Sequence, residues 1–148
     1  MASAVKIRNN ANGLCLDVPA GLTAPNPIKL AECCQMIQGD WTIVKWRDLV
    51  TIKSMENTTA NGGKGCFLDY YPLRSGTTPG TYLGMYDTPA QQFYRDVKTI
   101  EGAHSFMNLT SQAELAVLLT DVAGSLANFG PIEASTAKRV RFEWTIIN

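Results

Sequence analysis

The chain has 148 residues, 45% of them hydrophobic, and its 13 basic residues balance 13 acidic ones to a formal net charge of zero. That balance argues against nucleic acid and against a polybasic membrane contact, both of which need a surplus of Lys and Arg on one face. No apolar run approaches ~18 residues, so no membrane insertion is expected, and the length suits one domain burying about 70% of its unfolded surface.

Met1-Ala2-Ser3-Ala4 leads into a polar strand without the basic and apolar regions of a signal peptide. The expectation is a cytoplasmic protein, or one exported without a standard signal. Val5-Lys6-Ile7 alternates and is followed by turn chemistry at Asn9–Gly13, then Leu14-Cys15-Leu16-Asp17-Val18 and Asn26-Pro27-Ile28-Lys29-Leu30. Gln38-Gly39-Asp40-Trp41-Thr42-Ile43-Val44 ends in a β-rich run, and a boundary falls near Arg47–Leu49. Val50-Thr51-Ile52 alternates again, Asn61–Gly65 reads as a turn, and Cys66-Phe67-Leu68-Asp69-Tyr70 follows. After turn chemistry at Ser75–Gly80 come Pro79-Gly80-Thr81-Tyr82-Leu83 and Gln91-Gln92-Phe93-Tyr94-Arg95-Asp96-Val97, with a second boundary near Thr99–Gly102.

The last third opens on a conflict. Ser111-Gln112-Ala113-Glu114 is a capping box and, taken alone, announces a helix over Leu115–Leu119. Its position matches the strands at Cys15–Val18 and Cys66–Tyr70, so closure of the sheet is expected to override local propensity. Leu119-Thr120-Asp121-Val122, Gly130–Ala134 and Arg141-Phe142-Glu143-Trp144-Thr145-Ile146-Ile147 then complete the chain, with turn chemistry at Asn128–Pro131.

Read together, these elements are three copies of one pattern. The aspartates stand at 17, 69 and 121, a period of 52 on both steps, and the closing aromatic follows by 24, 25 and 23 residues. Such a period marks a repeat architecture in which no unit buries its apolar face alone. Units near 1–48, 49–99 and 100–148 are expected within one domain. Short strands separated by regular turns predict an all-β barrel or related closed sheet.

These residues resemble the ricin B-type lectin family, whose fold is the β-trefoil of three similar units about a pseudo-threefold axis. The resemblance covers nearly the whole chain and implies that Trp41, Tyr94 and Trp144 are core anchors. In that family, where an intra-unit disulfide exists, it joins positions matching Cys15 and Cys33. A cytosolic address would leave both reduced. Each family pocket uses the strand-end aspartate to accept sugar hydroxyls, an aromatic to stack on the ring's C–H face, and an amide before the closing motif.

The copies match unequally. The first keeps Asp17 with Gln38 but has Ala31 at the stacking position and Gly39 in place of the motif glutamine. The second keeps Asp69 with Gln91 and Gln92, and although Gly84 holds the strict stacking position, Tyr82 and Tyr86 are near, and Tyr70 and Tyr71 flank the aspartate. The third keeps Asp121 but has Ser135 for stacking and Arg141-Phe142 for the amides. The second unit is therefore the best candidate pocket, the first a weaker one and the third silent. The competing explanation is that each aspartate caps a turn through its own backbone.

The resemblance implies a lectin taking glycans or glycoproteins, with galactose or N-acetylgalactosamine as the family default and mannose open. One shallow site would bind weakly, so a homodimer follows as the route to avidity. The alternative is a trefoil without sugar binding, acting as a protease inhibitor through loops such as Ala20–Pro27 and Pro72–Thr78, or as an accessory subunit. No enzyme is expected: His104 is the sole histidine and reads as solvated or satisfied, and Asn61–Gly65 lacks P-loop spacing. Nothing places Asp17 with Glu32, or Asp69 with Asp87, as paired glycosidase carboxylates. Cys33-Cys34 and His104 lack zinc spacing, so no cofactor or metal is expected.

Overall fold

Alternating apolar residues bury one face of a strand and leave the backbone to pair sideways. The computed structural model describes residues 4–18, 26–35, 39–55, 67–71, 80–84, 93–98, 102–109, 114–116, 121–125, 127–130 and 142–148. Among them, six strands close a ring: β1 (Lys6–Asn9), β5 (Trp41–Trp46), β6 (Leu49–Ser54), β9 (Tyr94–Lys98), β10 (His104–Asn108) and β13 (Trp144–Ile147). All pair antiparallel, β5 with β6, β6 with β9, β9 with β10, β10 with β13 and β13 with β1. Val5 and Trp41 complete the circle through two backbone hydrogen bonds of 2.8 Å. Closure pairs the described strands of the ring with neighbours on both sides.

Three hairpins hang from this ring. They are β2 (Cys15–Asp17) with β4 (Lys29–Ala31), β7 (Phe67–Tyr71) with β8 (Gly80–Gly84), and β11 (Glu114–Ala116) with β12 (Asn128–Gly130). Each attaches through its first strand, at Arg8↔Cys15, Lys53↔Phe67 and Met107↔Glu114. A short strand β3 (Asn26–Pro27) lies along β8. Among the described residues, no helix is long and apolar enough to cross a membrane.

The core repeats three times. Trp41, Tyr94 and Trp144 are fully buried, each opposite a buried polar residue: Ser54, Asn108 and Asn9. Each aromatic sends its polar tip to a strand carbonyl: Trp41 Nε1 to Leu16 at 3.2 Å, Tyr94 Oη to Leu68 at 3.1 Å and Trp144 Nε1 to Leu115 at 3.0 Å. The rings thus bury their area without stranding a donor. Leu16, Leu68 and Leu115 are buried beside Ile7, Ile52 and Phe106.

These bonds correct the third copy. Leu16 and Leu68 are 52 residues apart but Leu68 and Leu115 only 47, so Ala116, not Asp121, stands where Asp17 and Asp69 stand. Asp121-Val122 imitates Asp17-Val18 in sequence, yet pairing register, which a one-residue slip would invert, decides the equivalence. Likewise Gly130, opposite Glu114, takes the place of Ala31 and Gly84, whereas Ser135 lies outside the described residues. Asn128–Gly130 is a strand rather than part of a turn, because its backbone completes the ladder with β11. Glu114–Ala116 is a strand despite the capping box before it, as closure requires.

Candidate functional site

In β2, Leu16 points into the core, so period-two alternation puts Cys15 and Asp17 on the other face. Across the ladder stand Ala31, opposite Cys15, and Lys29, opposite Asp17. A disulfide joins Cys15 to Cys33, which ties the segment after β4 back to β2. Beside it the chain turns, Gln35 N donating to the Glu32 carbonyl at 2.8 Å. Asp17, Lys29, Glu32 and Gln35 line one pocket of about 300 Å³. Asp17 is only 5% exposed.

The remaining wall comes from the third unit. Gly124 N donates to the Leu30 carbonyl at 2.7 Å, and Leu30 N to the Ser125 carbonyl at 2.8 Å. Ser125 N closes a turn onto the Val122 carbonyl, with Gly124 at φ +95°, where a side chain is disfavoured. Ala123 and Gly124 line the pocket. Asp121, matched from sequence to Asp17 and Asp69, belongs to this connecting segment, two residues before Ala123.

The second unit repeats the frame. Its register sets Asp69 opposite Tyr82 and Phe67 opposite Gly84, and β3 of the first unit runs along β8 with Pro27 opposite Tyr82. Tyr82 thus holds the position of Lys29, so the register brings an aromatic residue directly across from the aspartate. Gln38, Tyr86, Gln91 and Gln92 lie outside the described residues, as does Asp87. In the third unit Ala116 faces Asn128, which leaves that position without a carboxylate.

The first pocket brings Asp17 and Glu32 together, whereas sequence spacing singled out neither Lys29 nor Gln35, nor the Ala123-Gly124 wall. The ladder supplies Lys29 and the disulfide supplies Gln35. The wall lies more than a hundred residues along the chain and carries no local signal. His104 is satisfied: Nδ1 lies 2.9 and 3.0 Å from the two carboxylate oxygens of Asp96. No group of three metal-ligating side chains occurs among the described residues.

No family model matches the sequence, and no curated protein matches it. Solved structures do. A designed threefold-symmetric protein, ThreeFoil, superposes with a TM-score of 0.79 at 14% identity, over 98% of each chain. A proteinase inhibitor from Coprinopsis cinerea superposes at 0.75 and 11% identity, over 100% of this chain and 98% of that one. An exo-β-1,3-galactanase from Clostridium thermocellum matches at 0.75 and 13% identity, over 98% of this chain and 30% of the enzyme. At these identities the likeness shows the fold, and the fold is the β-trefoil.

Proposed function

We propose that the protein binds carbohydrate through the strand-end aspartates of its first two units, with the second unit as the principal site. The carrying observation is the register Asp69↔Tyr82, which pairs a bidentate acceptor with an aromatic residue at directly opposed ladder positions. Sugar recognition needs those two chemistries side by side: a carboxylate for paired hydroxyls and a flat partner for the C–H face. Tyr86, Gln91 and Gln92 are the further contacts proposed for this site. The first unit offers a related pocket, with Lys29 as donor and Glu32 and Gln35 beside Asp17. Gln38 is its proposed amide contact.

Galactose-type sugars are the first ligands to try, given the galactanase among the similar structures. A single shallow site corresponds to millimolar to high-micromolar binding, about −4 to −6 kcal/mol. Glycoproteins and dimerisation would raise the avidity.

The test is a glycan array of the parent chain beside Asp69→Ala and Asp17→Ala, with folding of each checked by thermal melt. Loss of a defined sugar in folded Asp69→Ala supports the second-unit site, and loss in Asp17→Ala moves it to the first. No binding by the parent overturns the reading. Protease inhibition is then the second function to measure, favoured by the full-length correspondence with the Coprinopsis inhibitor.

A further inference from the structure

Three strand pairs of the ring carry the same diagonal pair of positions two residues in from the closing aromatic. In β5–β6 they hold Ile43 and Val50, and between β13 and the residue preceding β1 they hold Ile146 and Val5. Val50 and Val5 are buried in the core, and Ile43 and Ile146 pack against it. In β9–β10 the same positions hold Asp96 and His104. Their side chains are 17% and 21% exposed and hydrogen-bond at 2.9 Å, while the imidazole stacks on Phe106 at 6.0 Å. A polar pair where the fold twice uses aliphatic side chains weakens packing there, and such local conflicts concentrate at functional sites.

A second departure lies alongside. β5 and β6 are joined by the two-residue turn Arg47-Asp48, flanked by the pair Trp46↔Leu49. Arg47 holds φ +58°, at a turn position that favours glycine or asparagine. Backbone strain of this kind clusters at functional sites.

The two departures meet in one pocket of about 320 Å³, lined by Lys45, Arg47, Asp48, Asp96 and His104. Both acids are engaged, Asp96 by His104 and Asp48 by Arg95 at 3.5 Å. The lining sets two cationic side chains, Lys45 and Arg47, beside these two acids.

We propose that this pocket binds a small oxyanion, a carboxylate, sulfate or phosphate group, between the Arg47 guanidinium and the Lys45 ammonium. A guanidinium matches two oxygens of such a group and an ammonium adds a mobile point charge. His104 Nδ1 is committed to Asp96, so Nε2 is the ring nitrogen left for a polar group of the ligand. None of these residues lines the Asp17 pocket, so the site is separate from the carbohydrate site and does not depend on it.

The chain has a single histidine, so its imidazole NMR signals report this site unambiguously. The full chain is titrated separately with sodium phosphate, sodium sulfate and sodium glucuronate, against sodium chloride at matched pH and ionic strength. A saturable shift of the His104 signals is expected with at least one oxyanion, with a dissociation constant of about 1 mM, and none with chloride. Arg47→Gly and Lys45→Gln each weaken binding by roughly 5-fold or more, as loss of one charged contact predicts. The melting temperature of Arg47→Gly holds or rises, which a purely structural arginine would not allow. A response to all three anions supports recognition of the oxyanion itself, and a response to glucuronate alone supports a hydroxylated carboxylate. No saturable shift with any of them, or undiminished affinity in Lys45→Gln, overturns the proposal.

Discussion

Trp144 donates its indole N–H to the carbonyl of Leu115 at 3.0 Å, across 29 residues of chain. The equivalent bonds from Trp41 to Leu16 and from Tyr94 to Leu68 make this contact, rather than the aspartate after it, the invariant of the three units. A large ring can fill the centre of the barrel only if its polar atom finds a buried acceptor, and the cap hairpins supply one each. The aspartate is then free to differ, and in the third unit it is Ala116.

Tyr94→Phe isolates the contribution of that bond, since the ring volume stays and the Leu68 carbonyl loses its donor. The expected cost is about 1–2 kcal/mol in chemical denaturation, with an unchanged denaturant slope.

The Cys15–Cys33 disulfide spans a separation of 18 residues. Constraining a loop of that size stabilises a fold by about 3 kcal/mol. Thermal melts with and without dithiothreitol should differ accordingly. Reduction should also weaken any ligand at the Asp17 pocket, whose rim residues Glu32 and Gln35 flank Cys33.

Replacing the polar pair by the residues of the neighbouring unit, Asp96→Ile with His104→Val, should stabilise the protein by about 1 kcal/mol. Each single substitution should destabilise it, because one partner then remains without the other. A double-mutant cycle in urea reads the coupling directly. A stable single His104→Val would show that the pair is not coupled.

Gly124→Ala should cost about 1–2 kcal/mol. The added methyl group would meet nothing within 4 Å, so the penalty is the left-handed backbone at φ +95° and not crowding. The Gly124–Leu30 hydrogen bond anchors the wall of the first pocket, and the same variant should lower sugar affinity at Asp17 more than at Asp69.

Much of the architecture was legible in local patterns. Val5-Lys6-Ile7, Trp41–Val44 and Trp144–Ile147 alternate or carry β-branched residues as strands do, and the three closing aromatics fall at nearly constant spacing. The strand signals depend on neighbours two to a few residues away and the repeat on a nearly fixed offset, both of which a linear chain displays. The candidate pair Asp17 and Asp69 was legible for the same reason.

What the chain by itself determined is thus the all-β class, the threefold repeat and the spacing of its closing aromatics, whose anchoring role the family resemblance implied. Only the tertiary structure decided which residue of the third unit is equivalent to Asp17, which residues stand opposite the aspartates in the ladder, and that Ala123-Gly124 walls a pocket of the first unit. The Asp96–His104 pair and its meeting with Arg47 belong to the same class. Each depends on ladder register and ring closure, which join residues far apart in sequence and leave no periodicity to read. The motif match at Asp121-Val122 misled, whereas at the capping box before Leu115 pairing in the closed sheet outweighed local helix propensity, as expected.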